Sequence, residues 1–114
     1  MPLNDTLLNV GANAMAAAAT HISLATANPE PSGANQATSA RLAAGWGAAA
    51  TGDLTLSNKA FTGGTANGAV THVCFWSAAT GGTYYGSQAL TGDTTFNSAG
   101  EYTITTLTVN GSST

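Results

Sequence analysis

His72 and Cys74 are the residues whose types and spacing come nearest to a catalytic nucleophile and its base. They stand two positions apart in VTHVCFWSAATGGTYYG, residues 70–86, a segment whose pattern predicts a β-hairpin. Two such residues share a strand face at about 6.5 to 7 Å, beyond hydrogen-bond reach unless the side chains reorient. Cysteine is among the most buried residue types, so we interpret the pair as packing residues.

Carboxylates and histidines offer two further kinds of chemistry. Glycoside hydrolysis needs two carboxylates across a cleft, but most of the acids fall in predicted loops or strand edges, where carboxylates are solvated: Glu30, Asp53, Asp93 and Glu101. His21 and His72 lie far apart in sequence, and no cluster of cysteines or acids accompanies either, as a metal site requires. We therefore expect no catalytic, metal-binding or cofactor-binding residues and no cofactor. A small hydrolase remains a third hypothesis.

Composition restricts the class of protein. The chain has 114 residues, enough for one domain, and 6% of them are charged, where a globular protein carries about 25%. A surface built of Thr, Ser, Asn, Gly and Ala favours a protein that neighbours cover in an assembly. The net charge of -3 with two basic residues argues against nucleic acid as a partner. Cys74 is the single cysteine, so a disulfide within the chain is excluded.

The hairpin segment specifies architecture. Side chains alternate along a strand, so one face carries Thr71, Val73 and Phe75 and the other carries His72, Cys74 and Trp76. Both faces are bulky, and we expect both to be covered. Gly81 and Gly82 supply the turn, after which Tyr84 and Tyr85 resume a strand.

The amino-terminal residues have the pattern of a helix. Residues 2–19 are rich in alanine and leucine, with Asn4 or Asp5 as the cap. The segment lacks the basic start of a secretory signal and is too short and polar for membrane insertion. We expect residues 1–19 to form a helix or arm and residues 20–114 a β-sandwich domain. Packing within the chain and packing on a neighbouring subunit both remain open for the helix.

Short strands separated by glycine-rich turns follow. Beside the hairpin, strands are predicted at residues 21–25, within 40–49, and at 53–57, 59–62, 87–90, 93–96 and 102–109, with a loop at 28–33. The last strand changes phase, which calls for a bulge or bend near Thr105 and Thr106. The fold class expected is mainly β: a small antiparallel β-sandwich, jelly-roll or Ig-like, with a short N-terminal helix or arm.

Three segments resemble a family of small tailed-bacteriophage proteins, many of them described as phage tail fibre or minor tail proteins. The segments are ISLATANPEPSGANQAT at 22–38, VTHVCFWSAATGGTYYGSQAL at 70–90 and AGEYTITTLTVNG at 99–111. The chain departs from the family at Ala25, where histidine is common, and at Asn28, where aspartate is common. The resemblance implies a virion component assembled in the host bacterial cytoplasm, with other virion proteins as partners. It carries over no catalytic residues.

Two hypotheses of function follow. The first is a non-enzymatic structural protein of a tailed-phage virion, tail-associated (minor tail or fibre) or a capsid decoration component. It would assemble as a small symmetric homo-oligomer, with a trimer among the options. The alternative is a carbohydrate- or receptor-binding module on the virion surface. That module needs at least two exposed rings side by side among the stacking candidates Trp46, Trp76, Tyr84 and Tyr85.

Overall fold

The chain folds into one helix and two antiparallel sheets. The computed structural model describes residues 4–50 and 53–110, so the outer ends of the predicted units 1–19 and 20–114 lie outside the described residues. The elements are α1 (Asp5–Ala18), β1 (His21–Ala25), β2 (Leu42–Ala43), β3 (Asp53–Phe61), β4 (His72–Trp76), β5 (Tyr84–Ala89) and β6 (Tyr102–Asn110). One sheet has the order β2-β1-β4-β5, and β3 pairs with β6 in the other. The predicted mainly β fold with a short N-terminal helix is confirmed.

Asn4, one of the two predicted caps, is the N-cap of helix α1. The Asn4 Oδ1 accepts the Leu7 N–H at 2.9 Å, which satisfies one of the unpaired donors of the first turn. At the other end the Ala19 N–H donates to the Met15 carbonyl at 2.8 Å. The helix contacts β3, and Ala12 on its inner side is 1% exposed. Part of the helix therefore packs within its own chain.

The main core lies between the two sheets. Val73 and Phe75 of β4 face it, as the alternation along the hairpin predicted. The other side chains of this core come from every layer of the fold and include Ile22, Leu24, Leu56, Phe61, Phe96, Tyr102 and Ile104. The opposite face of β4 carries a second buried cluster of Ala25, Cys74 and Trp76, against which Tyr84 packs. Both faces of β4 are therefore covered.

Five of the predicted strand segments differ from the structure. Within 40–49 only Leu42–Ala43 is a strand, because Gly45 turns the chain with φ 57°. The segments predicted at 53–57 and 59–62 form the single strand β3. Residues 93–96 form no strand, and their ladder contact is one bridge between Thr95 and Ala69. Of the segment predicted at 87–90, residues 87–89 extend the second hairpin strand as part of β5, and Leu90 lies outside it.

The phase change predicted near Thr105 and Thr106 is present and involves both strands of the smaller sheet. Ile104 is buried on one side of the change and Val109 on the other. The register of β3 and β6 is the same before and after this point, so no residue is inserted. Asn58 lies opposite with φ 52°, a left-handed conformation that asparagine tolerates. The change in which side chains face the core is therefore made by a bend at Asn58, and no bulge is needed.

Gly92 and Gly100 lie in the connection between β5 and β6 and have similar backbone angles. Alanine substitutions at these two positions test how tightly the connection is packed. Gly92 has φ 79° and open space where a methyl group would lie, whereas at Gly100, φ 74°, a Cβ would lie 2.2 Å from the Gly64 carbonyl oxygen. We expect Gly100→Ala to lower the free energy of unfolding by about 1 to 3 kcal/mol more than Gly92→Ala, since only Gly100→Ala adds steric overlap. Urea unfolding of both variants measures the difference. Equal losses would contradict the close approach to Gly64.

Candidate functional site

The outer face of the larger sheet carries a buried hydrogen-bond chain that starts at Trp76. The Trp76 Nε1–H donates to the Ser23 Oγ at 2.8 Å, and the Ser23 hydroxyl in turn donates to the Gln36 Oε1. The Gln36 Nε2 donates to the Cys74 Sγ at 3.3 Å. These bonds join β1, β4 and the loop that follows β1, and they satisfy polar groups that burial would otherwise leave unpaired.

His72 and Cys74 share this face, as predicted, but each has a different partner. The Cys74 thiol is fully buried, and burial raises its pKa above the usual value, which keeps the sulfur protonated. The His72 Nδ1 pairs with the Thr71 Oγ1 at 2.8 Å, the hydroxyl contact expected of a strand histidine. The arrangement suits packing, because a nucleophilic cysteine needs an accessible thiolate.

Arg41 ties the turn of the hairpin to this face. Its guanidinium carbon lies 3.8 Å from the centre of the Trp76 ring, within cation–π range. Its Nη1 donates to the Ala78 carbonyl at 2.9 Å and to the Gly81 carbonyl at 2.7 Å. The one arginine of the chain therefore serves the fold and offers no free cation at this position.

Glu30 fastens the loop after β1 onto β5. Its Oε2 accepts the Tyr84 hydroxyl and the Ser87 hydroxyl, the latter at 2.7 Å. The bond from Tyr84, followed by that from Ser87, lowers the pKa of Glu30. Burial, with the Glu30 bond second, raises the pKa of Tyr84 to about 12.

Two other acids lie together on the far side of the molecule. Asp93 and Glu101 line a cleft of about 330 Å³ with Asn97. The Asp93 Oδ1 accepts the Thr95 N–H at 3.2 Å, and the Glu101 Oε1 accepts the Asn97 Nδ2–H at 3.2 Å. Among residues 4–50 and 53–110, no three His, Cys, Asp or Glu side chains form a group that could hold a metal ion. In the same part of the chain no helix is long and apolar enough to span a membrane.

The four ring candidates separate into two pairs. Trp76 is 8% exposed, and its ring lies 5.2 Å from that of the half-buried Tyr84, so this pair belongs to the packed face. Trp46 and Tyr85 line one cleft of about 420 Å³, to which Met15, Phe75 and Gln88 also contribute. This pair alone places two of the candidate rings at one opening. We call this opening the aromatic cleft.

Helix α1 and residues of both sheets position the aromatic cleft. The Trp46 Nε1–H donates to the Ala19 carbonyl at 2.8 Å, which holds the ring beside the end of α1. Its centroid lies 5.8 Å from that of Phe75. Tyr85 stands opposite on β5 and is 52% exposed. Cavities of this volume bind small ligands or apolar side chains.

Sequence reasoning missed the roles of Arg41 and Glu30. The sequence pattern places Arg41 within a strand and Glu30 among solvated loop acids, yet each reaches a ring of the hairpin far along the chain. A charged side chain is rare in this sequence. That rarity is the signal that could have marked both residues.

Comparison with known families shows which family the chain matches. The family described as Podophage GP4 fiber I protein gp80 matches residues 3–112. No curated protein and no solved structure matches the chain.

Replacement of Trp76 tests the outer face. We expect Trp76→Ala to lower the free energy of unfolding by about 3 to 5 kcal/mol, because the ring is buried and its N–H serves Ser23. Tyr85→Ala is the control, with a loss of about 1 kcal/mol or less, since Tyr85 is half exposed. Urea denaturation followed by circular dichroism gives both values. Similar losses would mean that Trp76 does not organise this face.

The bond between Glu30 and Tyr84 predicts a pH dependence in the acid range. Because the folded pKa of Glu30 lies below the usual 4.5, its stabilising contribution is present above pH 4.5 and is lost as the pH falls through the lower folded value. We expect Tyr84→Phe to lower the melting temperature more at pH 7 than at pH 3. Tyr85→Phe, at the neighbouring tyrosine, should show no such difference. A constant effect of Tyr84→Phe at both pH values would contradict the bond.

Proposed function

The chain belongs to the family described as Podophage GP4 fiber I protein gp80, a family of phage fibre-type structural proteins, and we propose from this premise that it is a non-enzymatic component of the tail fibres. The match to residues 3–112 is the observation that carries the proposal. It spans helix α1 and both sheets, so the whole described fold is the family unit. As a virion component, the protein has other virion proteins as its partners.

The surface supports an assembled role. Seven of 114 residues are charged, and the exposed residues of the strands and turns are mainly Thr, Ser, Asn, Gly and Ala. A free protein normally relies on charge to stay dispersed, whereas subunits that touch one another avoid the cost of desolvating charged groups. Self-assembly into a small homo-oligomer is part of the proposal.

The side chains with reactive groups support a structural role. The Cys74 thiol is buried and protonated, and Glu30 and Arg41 hold the hairpin and loop on the sheet. A catalytic thiol needs access to a substrate, which the burial of Cys74 does not leave, and Glu30 and Arg41 are occupied by bonds that hold the fold. The residues of the outer face build a rigid module that can withstand exposure on a particle.

A carbohydrate- or receptor-binding module is the second candidate. The observation that favours it is the aromatic cleft, where Trp46 and Tyr85 face one opening. Rings of this kind stack on sugars, and Gln88 in the lining still has its amide oxygen as an acceptor while its Nε2 donates to the Thr108 carbonyl at 3.1 Å. Capsid decoration is the other position on the particle that the physical properties of the chain allow.

Labelling of intact particles tests the position. We expect Fab fragments raised against the purified protein to decorate the tail region in electron micrographs, with one cluster of density per fibre. Particles prepared without the protein are the control and should remain bare. Density distributed over the head shell would contradict the fibre role and favour capsid decoration.

A truncated chain tests the division into residues 1–19 and 20–114. We expect residues 20–114 to keep the β-sheet circular dichroism signal at a lower melting temperature, because loss of α1 uncovers part of β3. We also expect the truncated protein to be absent from purified particles. An unfolded truncated chain would instead make α1 an integral part of the core. A truncated chain that folds and is still present in purified particles would contradict the prediction that residues 1–19 form an attachment arm.

A further inference from the structure

All the large hydrophobic side chains that are exposed among the described residues lie on helix α1 or on strand β5. They are Leu7, Val10 and Met15 of α1, with 53%, 60% and 42% exposure, and Tyr85 of β5 with 52%. Met15 and Tyr85 line the aromatic cleft. The molecule therefore presents two exposed apolar features, the first turns of α1 and the cleft beside its last turn.

Helix α1 is apolar on its open side as well as its packed side. Ala12 and Ala19 are buried against the chain, while the open side carries Leu7, Val10, Gly11, Ala14, Ala17 and Ala18. The polar residues Thr6, Asn9 and Asn13 lie between these two sides, and an exposed apolar side on such a helix is normally covered by a partner. The open side of α1 therefore fits a helix that another subunit covers.

The two features differ in shape along the helix. Large side chains project from the first turns, where Leu7 and Val10 stand, and small ones follow at Ala14 and Ala18. The cleft of about 420 Å³ opens beside the small residues. If the first turns of α1 from two copies met, the large side chains of both copies would face each other. If the first turns of one copy met the last turn of the other, the large side chains would face the cleft.

We propose that Leu7 and Val10 of one copy fill the aromatic cleft of a second copy of this chain. The contact joins two different patches, so it can be made reciprocally in a pair or repeated around a closed ring. The proposal rests on the self-assembly included in the proposed function. In this proposal a neighbouring subunit, and not a sugar, occupies the aromatic cleft.

Charge favours a second copy as the occupant. The residues that line the cleft include no Asp, Glu, Lys or Arg, and neither do residues 6–18. Two identical molecules repel each other where like charges meet, and these two patches bring none together. Burying them together also leaves no unpaired charge.

The area of the contact sets its strength. A 14-residue helix has a footprint of about 200 Å², and each copy gives one helix and receives another, which makes about 400 Å². A stable interface buries about 800 Å² on each partner. We therefore expect weak, concentration-dependent association of the free protein, strengthened where a particle holds copies side by side.

Cross-linking between two variants tests the contact. Thr6→Cys places a thiol beside Leu7, and Ala18→Cys places one at the rim of the cleft, while the native Cys74 is buried. When isotopically distinct Thr6→Cys and Ala18→Cys proteins are mixed with a short bis-maleimide, we expect a product that contains one of each. Each variant alone should give much less. The unsubstituted chain and Ser98→Cys, in a remote exposed turn, are the controls.

Removal of the projecting side chains gives the second measurement. Leu7→Ala with Val10→Ala in the Thr6→Cys protein should weaken association, and with it the mixed product, by about tenfold or more. Alanine keeps the helix, and Asn13→Ala, an exposed helix position off this side, should leave the yield unchanged.

Two outcomes would overturn the inference. One is a Thr6→Cys protein that links to itself in preference to Ala18→Cys, which would mean matching ends together. The other is the absence of mixed product at about 1 mM protein. The cross-linking test uses purified protein and does not depend on where the protein lies in the particle. If cross-linking succeeds and particle labelling does not find the protein at the tail, only the fibre role is contradicted.

Discussion

The indole of Trp76 is the contact on which the outer half of the molecule depends. One ring receives the Arg41 guanidinium on its face, packs against the Tyr84 ring and donates its N–H to Ser23. The loop after β1 also approaches so closely that a Cβ at Gly33 would lie 2.7 Å from the Trp76 ring. A hairpin turn, a loop and two strands are thus held by one side chain. The buried polar chain through Ser23 and Gln36 follows from the same placement.

This second packed layer explains how a small chain keeps a sheet covered on both sides. The inner face of β4 meets the core between the sheets, and the outer face meets a loop with no regular secondary structure. One bridge, between Ala25 and Gln36, ties the end of this loop to β1, and side chains such as Glu30 attach the rest of it. Two of the seven charged residues, Glu30 and Arg41, are placed at such attachments.

Local sequence patterns predicted the helix and strands whose formation depends on residues close together in the chain. β1, the hairpin and β6 follow from alternation and turn glycines, and α1 follows from alanine and the Asn4 cap. Predictions failed where distant contacts decide. Residues 93–96 look like a strand, but Phe96 enters the core and the backbone bonds from Val70 to Thr94 and from Phe96 to Gly68 form one isolated bridge. The aromatic cleft was not predicted either, since it needs Trp46 held by Ala19 and Tyr85 brought opposite by β5.

Glu30 and Arg41 bond to neutral groups, and this affects how the fold responds to the salt concentration. Glu30 accepts hydroxyl groups, and Arg41 meets carbonyl oxygens and a ring. Dissolved ions screen the attraction between two opposite charges over about 10 Å at 0.1 M salt, but short bonds between a charge and a neutral group are affected far less. The outer face can therefore keep its structure in dilute water and in brine alike, a useful property for a protein carried outside the cell.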